Sequence, residues 1–86
     1  MSILTKLEVK RIKKEALIQR RLVEFQNISN WEMEIDLFKS LKVKADLSGD
    51  QQGSSVYNQR VNKLEVDIEF SELVINEINK KLKDEE

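Results

Sequence analysis

The carboxylates are the groups in this chain whose spacing comes nearest to a chemical site. Glu32, Glu34 and Asp36 alternate with apolar residues, and so do Glu65, Asp67 and Glu69. Alternation gathers side chains on one face only in an extended strand, where each trio would offer the hard oxygen ligands that Ca²⁺ and Mg²⁺ take. A helix turns each residue by about 100° and scatters them. Asp46-Leu47-Ser48-Gly49-Asp50 opens like a calcium loop, but its glycine is misplaced and the closing Glu is missing. No metal site is therefore expected. With neither His nor Cys the chain has no thiol nucleophile and no imidazole base, and it has no Gly-rich phosphate cradle. Two carboxylates could share acid–base work only in a buried cleft, which 86 residues scarcely enclose. The sequence predicts a protein that is not an enzyme and uses no cofactor.

Binding chemistry is better represented. On a helix, Lys6, Lys10, Lys13, Lys14, Arg20 and Arg21 fall within an arc of roughly 120°, with Leu17 and Glu24 inside it. Spanning about 22 Å of axis, these bases could follow several phosphates of a duplex. The competing reading is a solvated face opposite the core. The segment has no zinc ligand, no aromatic platform and no helix-turn-helix spacing, so nucleic acid stands as the alternative partner. The net charge of -1 conceals a gradient: residues 1–22 hold seven bases against Glu8 and Glu15, whereas residues 48–86 hold nine acids against five bases.

Apolar residues mark the other candidate surfaces. The first segment carries two stripes, Val9, Ile12, Ala16 and Val23 on one flank and Leu4, Leu7, Ile18, Leu22 and Phe25 on the other. So wide an apolar arc can touch two neighbours. Trp31, Ile35 and Phe38 line up at helical spacing, as a core trio or as an interface anchor. Tyr57, Val61, Leu64, Ile68, Ser71, Ile75, Ile78 and Leu82 follow alternating steps of three and four, a coiled-coil seam interrupted only at Ser71. Val66, Phe70 and Leu73 form a second patch off that seam. The aromatic trio and the apolar seam residues are the candidate interface.

These residues need long helices to position them. Proline is absent, and both glycines fall in one polar stretch, residues 48–55, read as a loop. Thr5-Lys6-Leu7-Glu8 reads as a capping box with Leu4 and Val9 as its staple, and Ser29-Asn30-Trp31-Glu32 repeats it with Ile28 and Met33. Three helices are predicted, at about 5–26, 30–47 and 55–83. They form one helical domain over residues 1–86, a hairpin or bundle completed by oligomerisation. The alternative is α+β. Residues 31–37, 41–47 and 64–70 alternate apolar and polar without a fault, which suits a helix, a three-stranded antiparallel meander and a final helix. Against it, Phe38-Lys39-Ser40 offers no residue suited to a hairpin turn.

A domain this small buries only about 60% of its unfolded surface, which favours self-association. No segment approaches the roughly 20 apolar residues of a membrane span, and the first residues lack the apolar run of a secretory signal. A cytoplasmic protein is expected. The functional expectation is a protein-interaction or oligomerisation module, such as an adaptor, assembly factor or inhibitor, whose partners are its own copies and another protein rather than a membrane. The alternative is a nucleic-acid-associated regulator using the basic face.

Overall fold

The computed structural model describes residues 3–84, and their side chains from Thr5 onward. Leu4, assigned above to a staple and a stripe, lies outside the described side chains. The chain forms two helices, α1 (Ile3–Ser48) and α2 (Gln51–Asp84), folded back on each other. Contacts run in opposite order along them: Phe38 stacks on Tyr57 with ring centroids 6.1 Å apart, Ser71 reaches Glu24, and Arg21 reaches Asn79. The hairpin is therefore antiparallel.

The mutual faces follow the heptad rule. On α1, Leu17, Arg21, Glu24, Ile28, Trp31, Ile35, Phe38, Lys42 and Ala45 recur at alternating steps of four and three, and every one is buried or half-buried. On α2 the matching positions are Ser54, Tyr57, Val61, Leu64, Ile68, Ser71, Ile75, Ile78 and Leu82, again all buried or half-buried. A period of 3.5 residues keeps both rows facing each other over the whole overlap. The core is one layer thick.

The turn is made by caps. Gly49 takes φ of 78°, the left-handed conformation that glycine adopts without a Cβ clash. Its N–H donates to Asp46 O at 3.3 Å, and that of Asp50 to Ala45 O at 2.8 Å, the two bonds of a Schellman ending. Asp50 then caps α2, its Oδ1 accepting from the Gly53 N–H at 2.9 Å. The polar stretch predicted as a loop is thus mostly the first turn of α2, because Asp50 caps five residues before Ser55.

Two further expectations are corrected. There are two helices where three were predicted, since α1 runs unbroken through Asn27-Ile28-Ser29-Asn30. Asn and Ser disfavour a helix interior by only about half a kcal/mol each, and the seam passes through Ile28, so packing on both sides carries the helix across. No strand occurs among the described residues. The alternation that suggested a meander interleaves seam residues with Met33, Leu37, Val43, Leu47, Val66 and Phe70, all of which are exposed. What resembled one face of a sheet is two faces of a helix, one of them outward.

The helices have 46 and 34 residues, about 69 and 51 Å at 1.5 Å per residue, and the rod measures 69 × 17 × 15 Å. Continuing the register of Phe38 with Tyr57 and Glu24 with Ser71 sets Asp84 near Arg11, so residues 3–10 of α1 run past the end of α2, by about 12 Å. No helix is long and apolar enough to cross a membrane among the described residues.

Candidate interaction site

The candidate interface residues are brought together by the structure, but within one chain. Trp31, Ile35 and Phe38 on α1 and Tyr57, Val61, Leu64, Ile68, Ile75, Ile78 and Leu82 on α2 all lie in the seam between the helices. Their first role is to hold the hairpin closed.

Two polar contacts punctuate that seam. Ser71, only 2% exposed, donates its hydroxyl to Glu24 Oε2 at 2.5 Å, and Arg20 Nε donates to Glu24 Oε1 at 2.8 Å. The Ser71 bond, followed by that from Arg20, holds the Glu24 carboxyl below its ordinary pKa. At the closed end Asp46 is likewise lowered, first by a hydrogen bond from Ser54 and then by Lys42, whose Nζ lies 2.9 Å from Asp46 Oδ2. Both seam serines of α2 therefore meet carboxylates of α1. A polar pair that is satisfied in one alignment and orphaned in a shifted one fixes register.

The basic arc lies elsewhere than on a face opposite the core. Leu17, Arg21 and Glu24, inside the arc, are seam residues, and Arg21 Nη1 donates to Asn79 Oδ1 at 2.7 Å. Lys13 borders a groove of about 550 Å³ with Ala16, Leu17, Lys81 and Asp84. Lys6 and Lys10 are exposed where α1 outruns α2, and Lys14 is exposed beside the last turn of α2. Arg20 is turned to Glu24.

Charge is sorted along the rod into three zones that the linear gradient hid. Between Arg21 and Lys39, α1 has no base and carries Glu24, Glu32, Glu34 and Asp36. Between Lys63 and Lys80, α2 has no base and carries Glu65, Asp67, Glu69, Glu72 and Glu77. Folding back sets the first of these stretches partly beside the second, Glu24 standing at the level of Ser71 between Glu69 and Glu72. An acidic belt results, running from Glu77 through Glu24, Glu69 and Glu65 to Glu32, Glu34 and Asp36, where the register of Phe38 with Tyr57 also sets Arg60 and Lys63; Lys39, Lys42 and Lys44 lie beyond it towards the tip. Among the described residues no group of three or more acids converges as a metal site.

The outer faces are apolar to an unusual degree. On α1 the flank of Ile18, Leu22 and Phe25 is exposed, Leu22 by 49% and Phe25 by 52%, and on the back of α2 Val66, Phe70 and Leu73 are each more than 60% exposed. Scattered surface leucines are ordinary, whereas contiguous apolar patches mark contact surfaces. The chain matches no protein-family model, no curated protein and no solved structure. A functional reading therefore starts from these surfaces.

Proposed function

We propose that this protein is a small non-enzymatic interaction module, an antiparallel coiled-coil hairpin that works by packing its outer apolar faces against its own copies and against a protein partner. The observation that carries the reading is the exposed apolar surface. A compact monomer of 10.1 kDa presents about 5,300 Å² to solvent, while this rod presents 6947 Å². The excess, roughly 1,600 Å² of polar and apolar surface together, comes from the elongated shape and leaves room for the ~800 Å² that each partner commonly buries in a stable interface, with the apolar flanks as its centre. At about 25 cal/mol per Å² of apolar area, covering one flank offsets the weakness of a one-layer core.

The role is that of an adaptor, assembly factor or inhibitor, in which the seam builds a rigid rod and the flanks recognise. The test is a comparison of wild type with Leu22→Glu and Phe70→Glu, both exposed enough to leave the hairpin folded. Retained helicity with lost self-association, or lost partner capture, supports the reading. Unchanged association in both variants removes it.

The alternative, a nucleic-acid-associated regulator, draws on one observation, the projection of Lys6 and Lys10 beyond α2 with Lys13 and Lys14 exposed beside its end. With Arg20 held by Glu24 and Arg21 by Asn79, engagement of the four arc lysines would give a log–log salt slope of about -3.6 on duplex DNA, at roughly -0.9 per phosphate contact. Retardation of DNA at low salt, abolished by Lys13→Glu with Lys14→Glu, would favour it; absence of retardation removes it.

A further inference from the structure

We propose that two copies of the hairpin pack α1 against α1, antiparallel, about a twofold axis beside Leu22, so that the basic segment of each copy lies on the acidic belt of the other. This rests on the association reading above and adds its geometry.

A twofold contact must be complementary to itself, residue i meeting j while j meets i. Two independent features of α1 share the centre that such a contact needs. The first is charge: α1 is predominantly basic up to Arg21 and bears no base from Leu22 until Lys39. Reversal about that boundary lays residues 3–21 over 22–40. The second is the apolar trio Ile18, Leu22 and Phe25, all exposed. The same reversal sets Ile18 opposite Phe25 of the second copy and Leu22 beside its own counterpart. The trio lies about 100° around the helix from the seam, so a second α1 fits there without displacing α2.

Other pairings are poorer. Arg11 and Glu32 occupy the trio's stripe on either side of it and meet, twice, in this register; Glu8 against Asp36 is its one like-charge pair. A parallel alignment would put base on base and acid on acid throughout. Pairing α2 back to back about Phe70 would set Lys63 opposite Glu77 along that stripe, but it would leave the basic part of α1 away from the acids of the other copy; the label series below separates the two faces.

The native chain has no cysteine, so a single introduced thiol carries one spin label per copy. Labels at Gln19→Cys, Gln26→Cys, Asn30→Cys and Ser40→Cys sit at exposed positions off the trio. With the axis at residue 21–22 the axial separation between identical labels grows by about 3 Å per residue, twice the helical rise, giving about 8, 14, 26 and 56 Å. Measured by electron double resonance in low salt, that ascending series is the expected result. Distances that are equal at all four positions, as in a parallel or head-to-tail assembly, overturn the arrangement, as does a minimum away from Leu22. Arg11→Glu and Glu32→Arg should each weaken the dimer several-fold and together restore it; loss in the double variant also overturns the register. In these last cases association itself stands. A monomer at high micromolar concentration in low salt removes both the arrangement and the self-association it rests on.

Discussion

Replacing Ser71 with alanine removes the donor that the buried Glu24 carboxylate depends on most. Glu24 is 6% exposed, and its oxygens are shared between Ser71 and Arg20 at 2.5 and 2.8 Å. Hydrogen bonds to charged groups contribute about 1.5–3 kcal/mol, and an orphaned buried acceptor costs its full desolvation. Ser71→Ala is therefore expected to lose about 2 kcal/mol. In a chain of this size that lowers the thermal midpoint by about 10 °C. Glu24→Leu alone should cost less, because the Ser71 hydroxyl can turn to the carbonyl four residues back while leucine fills the space. Glu24→Leu with Ser71→Ala removes both polar partners at nearly constant volume and should come within about 1 kcal/mol of wild type or exceed it. Urea unfolding followed by far-UV circular dichroism, at one fixed chain concentration because association feeds stability, yields the double-mutant coupling. A coupling below about 0.5 kcal/mol, or a double variant as unstable as the sum of the singles, would refute the view that this pair acts as a unit.

Asn30→Pro separates the unbroken α1 from a pair of shorter helices: at the first position of a new helix proline is tolerated, whereas inside α1 it should cost about 3 kcal/mol, read as a loss of urea midpoint. Glu24 and Asp46 both have folded pKa values below their ordinary ones, so each adds stability that is present above the unfolded value and lost as pH falls through the folded one. The urea midpoint should hold from neutral pH down to about 5 and fall below about 4, less steeply in Glu24→Gln. At the turn, Gly49→Ala should cost about 1–2 kcal/mol from backbone strain alone, since nothing lies within 4 Å of the added methyl; an unchanged thermal midpoint would contradict the left-handed cap.

The α2 seam was legible because apolar residues hold every position of its heptads from Tyr57 to Leu82 but Ser71. That of α1 was not. Arg21, Glu24 and Lys42 occupy three of its positions, so the row read as part of a basic arc at one end and as an isolated trio, Trp31, Ile35 and Phe38, in the middle. Only the partner helix shows why polar residues are tolerated there: Ser71 and Asn79 are waiting opposite. Ser29 and Glu32 carry good capping chemistry, yet a cap signal says what could end a helix, not that packing will let it end. Gly49 was recognisable as a helix ending, whereas Gly53 drew attention away from Asp50 as the next cap. The acidic belt was invisible in sequence because Glu24 is 47 residues from Ser71 and comes to lie between Glu69 and Glu72 only after the chain folds back.

Small-angle X-ray scattering over a concentration series in low salt tests the central claim most directly, that the outer face of α1 draws two hairpins together. A lone hairpin has a mass of 10.1 kDa and a longest dimension of 69 Å. Two staggered copies centred beside Leu22 double the mass and lengthen the rod only to about 80 Å at 1.5 Å per residue, and Leu22→Glu should return both values to those of one chain. A single-chain mass at every concentration, or a dimer that Leu22→Glu leaves intact, would contradict the claim.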